Sequence, residues 1–304
     1  LFIFYHRLPG FNLISFAAVI YLVQKMFSFI EGSQGNFQKL GELVPYLRVV
    51  MDYRSLTFDN KEVASGSSAF SFQKDIRFDD IKFSYENRGT VFSGLNFTIG
   101  RGEMVGLIGS SGAGKTTVAD LLLRLFRPNS GKILLDGKDI EEINIKSWRK
   151  KIGYVSQDVF LLNDTIKNNI KFFDKSVSSE DIANAVEAAS ARDFIQKLPD
   201  GLNTIVGERG IKLSAGQRQR IALARVLARN PEILILDEAT SALDNKSELL
   251  VQGAIENLKG KVTVLAIAHR LSTVMNSDRL LVLEKGRILE EGAPRQLLKD
   301  KDSH

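Results

Sequence analysis

Cysteine is absent from the 304-residue chain, and histidine occurs only at His6, His269 and His304. The lack of cysteine excludes disulfide scaffolds, cysteine-ligated zinc, iron–sulfur clusters and cysteine nucleophiles. Three scattered histidines are also too few for a histidine metal cluster. The excess of positive charge is small, because the chain has 41 basic and 36 acidic residues. A net charge of +5 does not by itself indicate a nucleic-acid-binding protein. Apolar residues make up 44% and charged residues 25%, as in ordinary globular domains.

Apolar residues are concentrated near the N-terminus. Residues 11–30 contain fifteen apolar residues out of twenty, enough for a helix to cross a hydrocarbon core ~30 Å thick. Gln24 and Lys25 interrupt this run, and a charge in mid-membrane is costly unless it lines a cavity or snorkels. The residues alone therefore leave two alternatives open, a membrane-spanning helix and a buried amphipathic helix. Because the chain opens Leu-Phe-Ile-Phe without methionine, we expect it to be a fragment of a longer polypeptide.

A helical stripe continues beyond the apolar run, and a linker follows it. Apolar residues recur at three- and four-residue steps at Leu40, Leu43, Leu47 and Val50. This period predicts that the helix continues into water, to about residue 55. The Ser65-Gly66-Ser67-Ser68 stretch has no apolar period, so we place a linker at residues 61–74 and a domain boundary within it.

The rest of the chain alternates short β-rich runs with helical patterns. Several runs are continuously apolar, as expected for strands that are covered on both faces. Together with the helical stretches between them, they predict an α/β fold with a largely parallel sheet. The predicted strands are residues 81–85, 95–99, 104–109, 132–137, 152–156, 232–237, 263–268 and 279–284.

A glycine-rich phosphate loop follows the run at 104–109. The sequence matches G-x-x-x-x-G-K-[ST] at every fixed position and leads into a helical pattern, which is the strand–loop–helix context that this motif needs. Backbone N–H groups of such a loop and the N-terminus of its helix bind phosphate. We expect Lys115 to reach the β- and γ-phosphates and the Thr116 hydroxyl to ligate Mg²⁺. The predicted phosphate contacts are Gly109, Ser110, Ser111, Gly112, Ala113, Gly114, Lys115, Thr116 and Thr117.

Two carboxylates follow a second apolar run. Asp237 comes directly after Ile-Leu-Ile-Leu, and Glu238 is next in the chain. Beside a phosphate loop, Asp237 is placed to hold Mg²⁺ and Glu238 to orient or deprotonate the attacking water. The alternative is a helix N-terminus, because Asp and Glu are favoured in first turns.

At this point the residues resemble the ATP-binding cassette (ABC) superfamily. Leu213-Ser214-Ala215-Gly216-Gln217 is similar to the LSGGQ signature, with Ala215 in place of a glycine. The resemblance implies that Ser214, Gly216 and Gln217 contact ATP bound by an opposite subunit. It also implies a cassette with a RecA-like mixed sheet core, a helical subdomain at about 158–228 and an antiparallel β subdomain, preceded by an all-α transmembrane segment.

Four more positions resemble elements of the same family. Tyr85 resembles the aromatic residue that stacks on adenine, although it could also be an ordinary strand tyrosine. Gln157 resembles the Q-loop glutamine, which senses Mg²⁺ and the water. Asp244 resembles the D-loop aspartate at the dimer seam. His269 resembles the histidine that holds the γ-phosphate, and with Glu238, Lys115 and Gln157 it completes the implied catalytic set.

The segment at 204–210 narrows the resemblance to subfamily-B-type exporters. It is similar to the X-loop that precedes the signature in those proteins, with Ile205 in place of the usual glutamate. The resemblance implies that residues 1–60 are the end of a transmembrane domain, with the last membrane helix at about 11–30, and that residues 75–304 are a nucleotide-binding domain. It favours the membrane-spanning alternative for the apolar run.

The expected function is therefore that of the ATPase of a membrane exporter that uses ATP and Mg²⁺. The implied partners are a second half-transporter, with a homodimer favoured over a heterodimer, and membrane lipid, but no nucleic acid. The implied location is the plasma or inner membrane, with the cassette in the cytoplasm. Two alternatives remain, a soluble ABC-type ATPase acting on nucleic acid or ribosomes and the ATPase subunit of an importer. The cargo is open among lipid, lipid-linked glycan, peptide and drug.

Overall fold

The computed structural model describes residues 13–59, 66–86, 89–239, 243–268 and 274–299. The chain divides into two compact units, residues 1–63 and residues 64–304.

The described part of the first unit is one long helix, α1 (Leu13–Asp59). At 1.5 Å per residue its 47 residues extend for about 70 Å. Its large apolar side chains are exposed over the whole length, from Leu13 to Leu56. By length and composition α1 is the one described helix that could cross a membrane. It continues through Pro45 without a break in the assigned helix, although a proline there removes one backbone hydrogen bond.

The second unit contains an antiparallel four-stranded sheet in the order β2-β1-β4-β5. Its strands are β1 (Asp75–Ser84), β2 (Thr90–Gly100), β4 (Ser130–Leu135) and β5 (Lys138–Asp139). The predicted strands at 81–85 and 95–99 are thus the ends of longer strands, and Tyr85 lies just beyond β1 rather than in it. The two-residue strand β5 was not predicted.

A six-stranded sheet forms the centre of this unit, in the order β10-β9-β3-β8-β7-β6. All neighbours are parallel except β10, which pairs antiparallel with β9. The prediction of a largely parallel sheet is therefore confirmed, whereas the edge strand β10 was missed. The strands are β3 (Met104–Gly109), β6 (Ile152–Val155), β7 (Ile233–Asp237), β8 (Thr263–Ile267), β9 (Arg279–Glu284) and β10 (Arg287–Gly292).

Eight helices of this unit are described. Four of them, α4 to α7, follow β6 and precede β7 in the chain. The helices are α2 (Lys115–Leu122), α3 (Ile145–Lys151), α4 (Ile166–Lys171), α5 (Ser179–Ala188), α6 (Arg192–Gln196), α7 (Ala215–Leu227), α8 (Asn245–Glu256) and α9 (Pro294–Leu297).

Two hydrophobic cores cover the two faces of the central sheet. Strand β7 shows the division, because Leu234 and Leu236 belong to the core with α4–α8, while Ile233 and Ile235 belong to the core with α2, α3 and the antiparallel sheet. Alternate side chains of a strand point to opposite faces. This arrangement explains why the central strands read as continuous apolar runs.

The described residues of the expected linker, 66–74, belong to the second unit, which begins at residue 64. Phe72 is only 1% exposed and belongs to the core with the antiparallel sheet. The carboxylate of Asp136 accepts hydrogen bonds from the backbone N–H groups of Gln73, Lys74 and Asp75, at 2.6, 2.7 and 3.0 Å. The stretch that follows Gly66 is therefore held within the second unit by the burial of Phe72 and by hydrogen bonds from its main chain.

Candidate nucleotide-binding site

The phosphate loop connects the end of β3 to the first turn of α2. Gly114 precedes α2 in the left-handed conformation with φ 105°, and a Cβ there would lie 2.7 Å from Cε1 of Phe92. A Cβ at Gly109 would overlap the carbonyl oxygen of Leu283. Only glycine satisfies both the backbone angle and the close approach at these positions, so the neighbouring strands fix the path of the loop.

Lys115 folds back over this loop. Its side chain is buried, and its Nζ donates hydrogen bonds to the carbonyl oxygens of Gly109 at 2.9 Å and Ser110 at 3.0 Å. Burial lowers the pKa of Lys115, while Glu238 and Asp237 act in the opposite direction. The ammonium group thus stands at the mouth of the loop, where the oxygens of a phosphate are stronger partners than neutral carbonyls.

Asp237 is the last residue of β7 and lies beside the first turn of α2. Its carboxylate accepts a hydrogen bond from the Tyr154 hydroxyl, with 3.2 Å between Oη and Oδ2, and it is also hydrogen-bonded to the Thr116 side chain. Burial raises the pKa of Asp237, and the neighbouring Glu238 adds to the rise. A buried carboxylate of this kind favours a nearby cation, since a positive charge stabilises its ionised form.

The donor set at Asp237 fits magnesium. Mg²⁺ takes oxygen ligands and is usually held by one or two protein oxygens together with waters and substrate phosphates. The Thr116 hydroxyl and the Asp237 carboxylate supply such oxygens beside the phosphate loop. Among the described residues, no group of three or more His, Asp or Glu side chains is placed to hold a metal ion.

Glu238 has an unusual backbone conformation. Its φ is +50°, in the left-handed region that non-glycine residues rarely adopt. Its N–H donates to the carbonyl oxygen of Ile267 at 2.9 Å, which ties the residue to the end of β8. The next helix among the described residues, α8, begins at Asn245 and is capped by Asp244. The alternative in which Asp237 and Glu238 begin a helix is therefore wrong.

A cavity of about 460 Å³ lies over the phosphate loop, within the usual range for small-molecule sites. Glu238 and Tyr85 lie in its wall together with Lys115 and Thr116. The complete lining is Tyr85, Val91, Ser111, Gly112, Gly114, Lys115, Thr116, Thr117, Asp120 and Glu238. The structure thus brings together residues that are separated by more than 150 positions in the sequence.

Tyr85 is hydrogen-bonded across this cavity. Its hydroxyl lies 3.2 Å from Thr117 Oγ1 and donates to Asp120 Oδ2 at 3.4 Å. Its ring makes edge contacts with Phe83 and Phe126, at centroid distances of 4.9 and 5.2 Å. Burial raises the pKa of Asp120. Sequence reasoning missed Asp120, although its place one helical turn after Thr116 was a usable signal.

The residues of the signature form a second cluster at the start of α7. The Ser214 hydroxyl accepts from the Gln217 N–H at 3.2 Å, and the Gln217 side chain accepts from the Ser214 N–H at 2.9 Å, which is a capping box. Gly216 is buried against Ser247, and Asp244 caps α8 by accepting from the Ser247 N–H at 3.2 Å.

The two clusters do not share a cavity. None of Ser214, Gly216, Gln217 and Asp244 is among the residues that line the cavity at the phosphate loop. Gln157, two residues beyond the end of β6, is exposed and does not line it either. His269 lies outside the described residues. The segment similar to an X-loop exposes Ile205, whose backbone forms a bridge with Thr165.

Comparisons with known proteins show which family this chain is similar to. The family profile described as ABC transporter matches residues 92–241. An ATP-dependent lipid A-core flippase of Chromobacterium violaceum is 48% identical over 239 residues, which cover 78% of this chain and 41% of that protein. A flippase of the same description from Haemophilus ducreyi is 50% identical over 225 residues, which cover 73% of this chain and 39% of that protein.

A solved structure shows the same similarity in three dimensions. It is described as a bacterial Atm1-family ABC exporter with ATP bound, and it matches with a TM-score of 0.74 and 39% identity. The match covers 82% of this chain and 45% of the exporter chain. This chain therefore spans less than half the length of the relatives that it matches.

Proposed function

The chain belongs to the ABC transporter superfamily, and from that premise we propose that it binds and hydrolyses ATP to drive an exporter of the subfamily-B type. The observation that carries the proposal is the cavity in whose wall Lys115, Thr116 and Glu238 meet, with Asp237 bonded to Thr116. Phosphoryl transfer needs little covalent chemistry from protein, and positioning and charge stabilisation account for most of its rate.

Several residues in and beside the cavity have proposed roles in holding ATP. Adenine stacks on Tyr85, and the phosphates lie against residues 109–117. Lys115 exchanges its carbonyl partners for phosphate oxygens. Thr116 and Asp237 would hold Mg²⁺, which would neutralise charge on the phosphates when bound. Gln157 remains a prediction for the metal and the water.

Glu238 is the proposed general base. Its carboxylate accepts a proton from the attacking water, in a position next to the metal aspartate. His269 remains a prediction for the γ-phosphate. The left-handed backbone of Glu238 supports this role, because strained residues persist where the surrounding structure holds them and cluster at active sites.

The second cluster supports a dimer. Ser214, Gly216, Gln217 and Asp244 stand apart from the cavity, so a second copy of the cassette would bring its own set over the ATP bound here. ATP that bridges two subunits stabilises their closed arrangement, and hydrolysis removes that stabilisation. We propose a homodimer with two working sites.

The exposed apolar surface of α1 supports a place in the membrane. We propose that residues 1–60 end a transmembrane domain, that the following segment joins it to the cytoplasmic nucleotide-binding domain, and that the protein resides in a plasma or inner membrane. The cargo belongs to one of four classes: lipid, lipid-linked glycan, peptide or drug. Two relatives are described as lipid A-core flippases, so a lipid is the first class of cargo to test.

The test is ATP hydrolysis by the purified full-length protein. Glu238→Gln is expected to slow turnover at least about a hundredfold, the usual contribution of a general base, while binding of a fluorescent ATP analogue is retained. Glu180→Gln, on an exposed position of α5, is the matched control. Hydrolysis by Glu238→Gln above about a tenth of the wild-type rate would contradict the assignment.

Alkaline carbonate extraction separates the exporter from the soluble alternative. An exporter stays in the membrane pellet after the wash, because α1 is anchored by its apolar side chains. Release into the supernatant would instead favour a soluble ABC-type ATPase.

A further inference from the structure

Tyr154 lies on the strand next to the one that ends in Asp237. Strands β6 and β7 are parallel, and Tyr154 is paired in register with Ile235. Asp237 lies two residues beyond Ile235, and residues two apart on a strand point to the same face. Tyr154, Ile235 and Asp237 therefore share one face of the sheet.

The length of the tyrosine matches the spacing along the strands. Two residues of a parallel strand advance about 6.6 Å, which a tyrosine side chain can span and a serine or threonine cannot. The Tyr154 hydroxyl accordingly reaches Oδ2 of Asp237 at 3.2 Å. Phenylalanine at the same position would fill the same space without a hydrogen-bond donor.

The carboxylate of Asp237 is held from two sides. Thr116, on α2, hydrogen-bonds to it from the phosphate loop, and Tyr154 hydrogen-bonds to it from β6. The ring of Tyr154 is partly buried and packs against the core that contains Ile235 and the apolar residues of α2. Because packing holds the ring in place, the hydrogen bond from the Tyr154 hydroxyl limits rotation of the Asp237 carboxylate.

We propose that Tyr154 is a positioning residue that orients the Asp237 carboxylate for the divalent cation. It is not a catalytic residue, because its hydroxyl contacts the Asp237 carboxylate and its side chain does not line the cavity over the phosphate loop, so it acts only through Asp237. Partners that orient a metal ligand in this way typically contribute ten- to a hundredfold in metal affinity. The proposal rests on the function proposed above, since it deepens the role of Asp237.

The test measures metal binding directly. Mn²⁺ is titrated into the full-length protein in the presence of ADP, and free Mn²⁺ is followed by electron paramagnetic resonance. Tyr154→Phe is expected to weaken Mn²⁺ binding by about ten- to a hundredfold, whereas ADP affinity in EDTA stays within about twofold of wild type. Tyr53→Phe, on an exposed position of α1, is the matched control and keeps wild-type Mn²⁺ affinity.

Comparison with a second variant separates the effect of the hydroxyl from that of the ring. Tyr154→Phe removes only the hydroxyl, whereas Tyr154→Met removes the hydroxyl and the ring. If orientation by the hydroxyl is the cause, the two variants weaken Mn²⁺ binding equally. Unchanged Mn²⁺ affinity in Tyr154→Phe overturns the role of Tyr154, and so does an equal loss of ADP affinity in EDTA, which would indicate loosened packing. If the wild-type protein binds neither ADP nor Mn²⁺–ADP, the proposed function itself fails.

Discussion

Replacing Gly216 by alanine is expected to separate the starts of helices α7 and α8. A Cβ at Gly216 would overlap Cβ and Oγ of Ser247, well inside the 3.0 Å that real Cβ atoms keep. Overpacking of this kind costs about 1–3 kcal/mol, and the higher helix propensity of alanine returns up to about 1 kcal/mol. The overlap includes the Cβ of Ser247 and not only the end of its side chain, so the cost of overpacking lies in the upper part of its range, at about 2–3 kcal/mol. The net loss of about 1–3 kcal/mol lowers the melting temperature by about 2–12 °C for a unit of this size.

A double-mutant cycle on the purified full-length protein tests the cause. Ser247→Gly removes both overlapping atoms, so the pair Gly216→Ala with Ser247→Gly should show a favourable coupling of about 2–3 kcal/mol. Ala215→Gly, at the neighbouring position, is the control and should show no coupling with Ser247→Gly. The reasoning is refuted if Gly216→Ala melts at the wild-type temperature, or if Ser247→Gly brings no recovery.

Two further changes test other features. Phe72→Ala is expected to lower the free energy of unfolding of the second unit by about 3–5 kcal/mol, because a fully buried ring is lost. A decrease of less than about 1 kcal/mol, measured by thermal melting, would contradict the burial of this segment. Asp237→Asn is expected to raise the melting temperature of the nucleotide-free protein at neutral pH. Burial raises the pKa of Asp237, so the folded state holds this proton more tightly than the unfolded state, and stability falls as pH rises from the ordinary value of about 3.8 through the raised folded value. The gain should shrink towards acid pH, and melting curves with an equal gain at every pH would oppose this cause.

The sequence predicts the central sheet well because burial on both faces leaves a strong local signal. Strands β3 and β9 have the predicted bounds, residues 104–109 and 279–284. The ABC cassette fold that the motifs implied is confirmed by the family profile and by the exporter structure. The phosphate-loop motif likewise identifies a cavity in which most of its own residues are present.

Features that depend on pairing across the fold left no such signal. Strand β10 reads Arg-Ile-Leu-Glu-Glu-Gly and is half exposed, so its partner β9 rather than its own composition makes it a strand. The contacts of Tyr154 and Asp120 required knowledge of which strands and helices are neighbours. The burial of Phe72 was hidden for a similar reason. Phe70 and Phe72 alternate with Ser71 over only three residues, which is too short a run to predict burial, and the core that covers Phe72 is formed by distant strands.

The left-handed backbone of Glu238 has a consequence for directed evolution of this protein. Glycine or asparagine adopts that conformation more readily than glutamate, and a non-glycine residue held there costs on the order of 1 kcal/mol or more. Selection for thermal resistance alone would therefore favour replacements at position 238. Such variants would be more thermostable but, without the proposed general base, would not hydrolyse ATP. A thermostability screen of this protein therefore needs an ATPase assay at every round.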